Sequence, residues 1–267
     1  MKLPTISVIT PCFNAAGTIG ETLESVRAQD YPEVEHIVVD GGSTDGTVRL
    51  LEGTTGVRWI SEPDRGRVHA ANKGADMATG DVVAWLNADD RYEPGTLRAV
   101  GEALAQAPDV AWATGYCRII GGDGAEIRGP ITAYKNVLLR RWSLPLYLTQ
   151  NFVSDPATFV RRDALRAVGP LDERYLMSHD YDLWLRVARR YGPPVILKRE
   201  LACFRMTETT LSMGGFERQF QEHAEIAAQY RVSHRLPVAV NRLMSRSIVG
   251  VYRVLRRRRE SSSRSRR

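Results

Sequence analysis

Residues 81–90 read Asp-Val-Val-Ala-Trp-Leu-Asn-Ala-Asp-Asp. The apolar run from Val82 to Leu86 is typical of a strand buried on both faces, as in a parallel sheet covered by helices. Asp89 and Asp90 follow this run almost at once. Two adjacent carboxylates repel each other, and burial adds a desolvation cost, so such a pair needs compensation. A divalent cation would relieve both costs, and oxygen ligands favour Mg²⁺ or Mn²⁺.

The residues on either side of this stretch alternate short apolar runs with helical patterns. Strands are predicted at 6–10, 34–39 and 57–60, and helices begin at Thr18, after Gly46 and at Arg67. This alternation is the pattern of parallel βαβ units and predicts an α/β fold. Further along, the pattern predicts helices at 94–107 and 180–190 and strands at 110–120, 157–160, 195–197 and 202–205.

Acidic residues recur where these predicted strands end. Asp40 ends the second strand, Asp64 follows the third, and Asp89 with Asp90 follows the fourth. In an open α/β sheet this edge is where ligands bind, so we expect a polar site there. Two other interpretations stay open, because an aspartate here can cap the helix near Pro94 or start a turn such as Asp40-Gly41-Gly42.

Composition and charge describe a globular chain with a basic end. The 267 residues are 43% hydrophobic and 25% charged, and the formal net charge is +6. Residues 253–267 contain eight Arg and one Glu, a net of +7, so the remainder carries −1. Because the body has no basic surplus, we expect no specific nucleic-acid partner.

We predict a single compact domain over residues 1–235, with halves at 1–120 and 121–235. Its three cysteines are widely spaced and form no Cys-x-x-Cys pair, so neither a disulfide framework nor a zinc site is indicated. The longest uncharged stretch, 3–20, contains two prolines and is unsuited to a spanning helix. No secretory signal is evident, and we expect a cytoplasmic protein.

Residues 236–267 are expected to form an amphipathic helix and a basic, disordered tail. Apolar residues from Leu243 onward follow helical spacing, while Arg242, Arg246 and Arg253 share the opposite arc. Two interpretations are open for this helix. It packs on the catalytic domain with a solvated arginine face, or it lies on an anionic membrane surface, which would make the protein peripheral at the inner face.

Four motifs follow one another in the first ninety residues, and a fifth lies near Asp180. They are Ser7-Val8-Ile9-Thr10-Pro11-Cys12-Phe13-Asn14, Val38-Val39-Asp40-Gly41-Gly42-Ser43-Thr44-Asp45-Gly46-Thr47, Asn72-Lys73-Gly74, Trp85-Leu86-Asn87-Ala88-Asp89-Asp90 and Met177-Ser178-His179-Asp180-Tyr181-Asp182-Leu183-Trp184-Leu185-Arg186. This order, across residues 5–190, resembles the inverting glycosyltransferases of family 2. The resemblance implies a Rossmann-like A-type glycosyltransferase fold with a mixed, mainly parallel central sheet. It also implies a nucleotide-sugar donor and Mn²⁺ or Mg²⁺.

The resemblance places the nucleotide sugar against the first strands. Thr10, Pro11, Phe13 and Asn14 would wall the nucleotide site. Asp40 would accept a hydrogen bond from the imide of uracil or thymine, which implies a UDP or dTDP sugar.

The remaining donor-side residues follow from the same resemblance. Asp64 and Arg67 would lie close to the nucleotide, and Asn72 would hold the adjoining helix in place. Asp89 and Asp90 would share the ribose and metal contacts, with the ligand of the ion left open between them. Asn87 stands at the first position of an Asp-x-Asp pattern, which removes one negative charge and would weaken metal affinity.

The fifth motif resembles the family's acid-Asp pair that opens a helix, and it makes Asp180 the candidate general base. His179 stands where the family often has an acid. We expect it to be either a surface residue or a group that adjusts the pKa of the base. Asp182 is expected to pair with Arg186 four residues on. Many members have a histidine shortly after the strand arginine, but here Thr207 stands in that region. Arg205 is still expected to meet the diphosphate.

The sequence therefore predicts a metal-dependent inverting glycosyltransferase that moves a sugar from a nucleoside diphosphate to an acceptor hydroxyl. The expected acceptor is a glycan or glycolipid of the cell surface. Two alternatives are a nucleotidyltransferase and a non-catalytic nucleotide-sugar-binding module tethered by its basic tail. The first is disfavoured because Pro11-Cys12-Phe13-Asn14 is not a glycine-rich phosphate loop.

Overall fold

A computed structural model describes residues 2–207, 215–247 and 249. Its strands are β1 (Ile6–Cys12), β2 (Val34–Asp40), β3 (Val57–Ser61), β4 (Val82–Trp85), β5 (Arg91–Tyr92), β6 (Trp112–Ile120), β7 (Thr158–Arg161) and β8 (Val195–Arg205). We number its helices α1 (Ile19–Arg27), α2 (Thr47–Glu52), α3 (Arg67–Met77), α4 (Thr96–Gln106), α5 (Gly129–Arg140), α6 (Leu144–Thr149), α7 (Arg162–Val168), α8 (His179–Tyr191), α9 (Phe216–Ala228) and α10 (235–247).

All eight strands form one sheet in the order β3-β2-β1-β4-β7-β6-β8-β5. Strands β1 to β4 are parallel, as are β6 and β8, while β7 runs antiparallel to both of its neighbours and β5 antiparallel to β8. The predicted mixed, mainly parallel sheet is confirmed. After β1 the chain builds outward to β2 and β3 and then returns to β1's other side as β4. This reversal makes the ends of β1 and β4 the point where an open α/β sheet binds ligands.

Helix α3 is held close to the sheet by a glycine. A Cβ atom placed on Gly74 would lie 2.3 Å from Cγ2 of Ile9 in β1. The missing side chain therefore lets the α3 backbone pack directly on the strand. This contact fixes the position of Arg67, the first residue of α3.

Helix α8 is fixed to the same face of the sheet by aromatic packing. Trp184 stacks on Trp112 with ring centroids 5.8 Å apart and meets Trp85 edge-on at 6.1 Å. Large buried aromatic side chains dominate core energetics, so this contact sets the height of α8 above β4 and β6. The first turn of α8, which contains Asp180, is thereby positioned beside the carboxyl end of β4.

Helix α10 packs on the body through a face that the sequence did not indicate. Val238, Asn241 and Ser245 are buried, whereas Leu243, expected on the packed side, is 68% exposed. Asn241 Nδ2 donates to the carbonyl oxygen of Leu148 at 3.0 Å and reaches the Tyr181 hydroxyl at 3.5 Å. A buried amide side chain needs such partners, so polar bonds as well as apolar contacts hold this helix. The predicted tail, 253–267, lies outside the described residues.

The predicted elements of the first 120 residues are found, with α3 at the expected bounds. In the second half the predicted strand pair at 195–205 is one continuous strand, β8, and the sequence patterns missed α5, α6, α7 and α9. The three cysteines are free and buried. Within the described ranges, no helix has the length and hydropathy needed to cross a bilayer.

Candidate active site

The segment after β1 is joined to the loop after β2 by hydrogen bonds. Asn14 N–H donates to Ser43 Oγ at 2.7 Å, and Asn14 Oδ1 accepts from Thr44 N–H at 2.9 Å. Asn14 adopts a left-handed conformation (φ 48°), which asparagine tolerates better than most residues. The bonds place Phe13, 64% exposed, at the edge of the sheet. Of the predicted nucleotide wall, Phe13 and Asn14 are therefore the accessible members.

Two other residues of that predicted wall are buried. Thr10 is inaccessible to solvent, and its hydroxyl lies 3.0 Å from Nε2 of His36. Pro11 is also buried within β1. Both side chains are packed inside the protein, because β1 is a central strand with both faces covered. Their predicted direct contact with the nucleotide has no accessible surface to rest on.

Asp40 is buried and holds the turn that follows it. Its Oδ2 accepts from the N–H groups of Gly42 at 3.1 Å and Ser43 at 2.9 Å and from Ser61 Oγ at 2.6 Å. Its Oδ1 accepts from Ser43 Oγ. Burial alone would raise the pKa of Asp40, but these bonds lower it and keep the carboxylate charged. The turn interpretation is confirmed, and recognition of a base by Asp40 stays a prediction.

Asp64 and Asn72 take up different positions around the same edge. Asp64 lies over Gly41, where an added Cβ would come within 2.7 Å of its Oδ2, and its Oδ1 accepts from Gly66 N–H at 2.6 Å. Asn72 bonds both backbone groups of Leu171, donating at 2.9 Å and accepting at 3.0 Å. Asn72 therefore ties α3 to the loop before α8, which is the holding role expected of it.

The two adjacent aspartates are in different environments. Asp90 is fully buried, and its oxygens accept from Arg205 N–H at 2.8 Å and from Asn87 Nδ2 at 2.9 Å. Burial and then the charge of Asp89 raise the pKa of Asp90 well above its usual range. Asp89 is partly exposed, and burial raises its pKa against the opposing charges of Arg67 and Arg205. Asp89 is therefore the accessible carboxylate of the pair, and Asp90 is bonded within the fold.

Arg67 is at the centre of the charged groups. Its positive charge acts on the four carboxyl groups of Asp89, Asp90, Asp155 and Asp180, lowering the pKa of each. Its Nε is buried and has no hydrogen-bond partner among the described residues. A buried unpaired donor in a cleft of charged groups is costly unless a ligand completes it. The structure thus gathers the predicted Asp89, Asp90 and Asp180 around one guanidinium, with Asp40 apart on β2.

Asp180 accepts a hydrogen bond from a residue that the sequence patterns did not identify. Asn151 Nδ2 donates to Asp180 Oδ2 at 3.1 Å, and Asn151 Oδ1 accepts from the Tyr147 hydroxyl at 3.1 Å. Tyr147 is buried in the core, where its ring packs edge-on against that of Phe152. Burial raises the pKa of Asp180, while Asn151, Arg67 and Lys135 oppose this shift.

A second carboxyl group, Asp155, lies close enough to Asp180 to be electrostatically coupled to it. Asp155 precedes β7, and its buried Oδ1 has no hydrogen-bond partner among the described residues. Burial, with a further contribution from Asp180, raises the pKa of Asp155 to about 8. At neutral pH Asp155 is therefore mostly protonated, and Asp180 is the carboxylate of the two.

The other residues of the fifth motif have structural environments. His179 is buried, so the expectation of a surface histidine is wrong; burial, aided by Arg67, lowers its pKa to about 3 and keeps it neutral. Asp182 pairs with Arg186 at 2.8 Å, as predicted. Arg205 is also buried, and its guanidinium donates to Asp89 O, Gly121 O, Gly122 O and Glu21. These internal bonds exclude the expected contact of Arg205 with a diphosphate in this arrangement.

The residues present fit a divalent ion only if a ligand supplies the other donors. Within the described part of the chain, no three or more His, Cys, Asp and Glu side chains form a group able to hold a metal. Asp89 is the single open carboxylate at the end of β4. Mg²⁺ and similar ions often bind through one or two carboxylates together with substrate phosphates and waters. Asp89 suits this mode of binding, in which the protein and the substrate phosphates share the ion.

Comparison with known proteins agrees with this architecture. The profile described as Glycosyl transferase family 2 matches residues 7–169. The chain is 36% identical over 200 residues to an uncharacterized glycosyltransferase of Mycobacterium tuberculosis (strain H37Rv), covering 72% of each chain. It is 30% identical over 213 residues to a PGL/p-HBAD biosynthesis glycosyltransferase of the same strain, covering 74% of each.

Solved structures share the fold at lower identity. S. aureus TarS 1-349 in complex with UDP-GlcNAc superposes with a TM-score of 0.66 at 19% identity, covering 89% of this chain and 69% of that one. A longer TarS chain is covered over only 41% of its length. A mannosyltransferase from Pyrobaculum calidifontis, in complex with GDP-Man and Mn²⁺, gives a TM-score of 0.67 at 20% identity, covering 96% and 81%.

The sheet order, its switch point and these structural neighbours define the A-type fold of glycosyltransferases. Over the matched residues and the related sequences, the chain belongs to glycosyltransferase family 2. Family membership removes the two alternatives left by the sequence, nucleotidyl transfer and a non-catalytic binding module.

Proposed function

We propose that the protein transfers a sugar from a nucleoside diphosphate to an acceptor hydroxyl with inversion at the anomeric carbon. The observation that carries this proposal is the environment of Asp180, which is partly exposed, accepts a hydrogen bond from Asn151 and shares the electrostatic influence of Arg67 with Asp89. A carboxylate so placed can serve as the base on the acceptor side, while the β1 and β4 ends bind the donor.

In the proposed reaction the acceptor oxygen attacks the anomeric carbon from the side opposite the diphosphate. The bond from that carbon to the diphosphate oxygen breaks, and the leaving group keeps the electron pair. Asp180 takes the acceptor's proton as its oxygen becomes the new glycosidic oxygen. The raised pKa of Asp180 makes it a stronger base than an ordinary aspartate, while Asn151 orients the receiving oxygen.

The residues on the donor side neutralise the charge that develops on the diphosphate. Arg67 has an unpaired, buried Nε directed to no protein acceptor, which suits an incoming phosphate oxygen. A bound Mn²⁺ or Mg²⁺ would supply Lewis-acid stabilisation of the leaving group. Asp89 would contribute the protein ligand to that ion and the ribose contact. Asp90 would hold the adjoining backbone through its bonds to Asn87 and Arg205.

For the donor we propose a UDP or dTDP sugar, with Phe13, Asn14, Asp40 and Asp64 around the nucleotide. Support comes from the sequence motifs and from the edge position of Phe13 and Asp64. For the acceptor we propose a cell-surface glycan or glycolipid. One relative named for PGL/p-HBAD biosynthesis points in this direction.

Asp180→Asn tests the assignment of the base. Because general-base catalysis contributes roughly 10²–10⁴-fold, we expect kcat to fall by that factor while donor affinity stays within about twofold. The assay incubates the protein with UDP, dTDP and GDP sugars, with Mn²⁺ or Mg²⁺, and measures release of nucleoside diphosphate in the presence of acceptor. The product anomer, read by NMR, tests inversion directly.

The matched control is Asp76→Asn, which changes an exposed aspartate on α3 that has no side-chain bond. This variant should transfer sugar at the normal rate. Full transfer by Asp180→Asn, or a product with the donor's anomeric configuration, would contradict the mechanism.

A further inference from the structure

Helix α10 has two unlike faces. Val238, Asn241 and Ser245 are buried against the body, whereas Leu236 is 75% exposed and Leu243 68% exposed. At about 100° per residue these leucines lie roughly 20° apart, on the side opposite the buried residues. Two large apolar side chains at the centre of a solvent-facing arc gain nothing from the fold of this chain.

Arginines lie beside these leucines, and they share a groove with one of them, Leu243. Arg231, Arg235, Arg242 and Arg246 line a groove of about 680 Å³ together with Val232, which is 93% exposed, and Leu243. Within the ranges that the structure describes, none of these four guanidinium groups has an ion pair or a hydrogen bond. No acidic residue occurs in the sequence between Glu225 and Glu260. The groove is therefore strongly positive and has no internal counter-charge.

The geometry points to an anionic phospholipid bilayer as the partner of this face, with the protein lying on the membrane surface. Guanidinium groups match phosphate oxygens and would bind lipid headgroups, while Leu236, Leu243 and Val232 would enter the boundary between headgroups and acyl chains. The eight arginines of residues 253–267 extend the positive charge along the chain. This proposal concerns the location of the protein and does not depend on the assignment of Asp180.

The combination of side chains favours a bilayer over other partners. Nucleic acid would pair with the arginines through its phosphates, but it offers no hydrocarbon layer for the exposed side chains of Leu236, Leu243 and Val232. A second copy of this chain would bring the same four arginines face to face, and like charges at an interface are unfavourable. A lipid surface offers both phosphate and hydrocarbon to one face.

Flotation of the full-length protein with vesicles tests the proposal. Vesicles of phosphatidylcholine alone are compared with vesicles that also contain phosphatidylglycerol. Since each arginine near an anionic surface contributes roughly fivefold in affinity, the charge reversal Arg235→Glu, Arg242→Glu, Arg246→Glu should weaken binding by at least about fiftyfold. Leu236→Asn with Leu243→Asn should weaken it roughly tenfold, because apolar insertion is lost.

The matched control reverses three exposed arginines on other faces, with the substitutions Arg27→Glu, Arg49→Glu and Arg166→Glu. It changes net charge by the same amount and should bind vesicles within about threefold of the natural chain. Thermal unfolding and donor turnover without lipid should be unchanged in the α10 variants, which separates loss of binding from misfolding.

Several results would overturn the proposal. One is absence of flotation by the natural chain, and another is equal flotation with neutral and anionic vesicles. Vesicle binding that survives the leucine changes, together with equally tight binding of single-stranded DNA, would indicate a general polyanion site. A dimer in solution that dissociates in the leucine variant would assign the face to a second copy.

Discussion

The carboxylates at the ends of β2 and β4 differ from those of α8 and the segment before β7 in their hydrogen-bond partners. Asp40 and Asp90 are buried and accept bonds from backbone and side-chain donors on both carboxylate oxygens. Asp155 has a buried oxygen with no hydrogen-bond partner among the described residues, and Asp180 is partly exposed and accepts from the Asn151 amide and the Tyr181 N–H. The first region is a rigid frame built by its own loops. The second region has carboxylate oxygens available to take a proton and to contact the acceptor hydroxyl.

Substitution of the two adjacent aspartates tests this difference most strongly. Asp90→Ala would leave the N–H of Arg205 and the amide of Asn87 without acceptors, so the free energy of unfolding should fall by about 2–4 kcal/mol. Asp89→Ala should leave it unchanged within about 0.5 kcal/mol. Asp89→Ala should instead lower kcat/KM by roughly 10²–10³-fold, because a charge clamp on the leaving group is lost. Urea unfolding and initial rates give both values, and the opposite pattern would exchange the roles of the two residues.

Asn151→Ala sharpens the comparison from the acceptor side. The Asn151 amide donates to the Asp180 carboxylate and favours its charged form, so its loss should raise the pKa of Asp180. The acidic limb of the kcat profile should move to higher pH, and kcat at neutral pH should fall about tenfold. KM for the donor should stay the same. A profile that does not shift, despite a lower rate, would reduce Asn151 to a packing role.

Asp155→Asn tests whether the acceptor side holds a proton. The pKa of Asp155 is raised from 3.8 to about 8, so the folded state binds more protons than the unfolded state between these values. The free energy of unfolding should therefore decrease as pH rises from 4 to 8, and this decrease should be smaller in the variant. Urea midpoints across that range measure it. Parallel curves for both proteins would mean that Asp155 is not protonated in the fold.

Gly41→Ala is expected to have the smallest effect. The added methyl group would lie 2.7 Å from Asp64 Oδ2, the end of a flexible side chain that can move aside. We expect a change in unfolding free energy under about 1 kcal/mol and a few-fold rise in KM for the donor. Gly17→Ala, with nothing within 4 Å of its Cβ, is the control. Unchanged donor KM would place Asp64 outside the nucleotide site.

Local chemistry explains which features were predictable. Strands β1 to β4 and helix α3 have apolar periods and turn residues that act within a few positions, and the position of Asp40 and Asp89 at the carboxyl edge of the sheet followed from them. Asp180 was identified through the resemblance of its motif to the family. The hydrogen-bond partners of these carboxylates could not be predicted in the same way. The donors to Asp90 are Asn87 and Arg205, and Arg205 is 115 residues away in sequence. Asn151 and Asp155 lie in a segment with no repeated pattern, so their interactions with Asp180 became visible only in the tertiary structure. Leu243 was wrongly predicted to face the body, because the face of α10 that packs on the body contains the polar residue Asn241.

The packing of α10 on the body has a consequence for any shortened version of the protein. Asn241 bonds Leu148 and Tyr181, and Tyr181 is the next residue after Asp180 and donates to the backbone of Tyr147 and Leu148. Ending the chain near residue 235, where sequence composition suggests a boundary, would cut these links. A crystallisation or expression design should therefore keep residues up to at least 247, even where the arginine-rich extension is removed to improve yield.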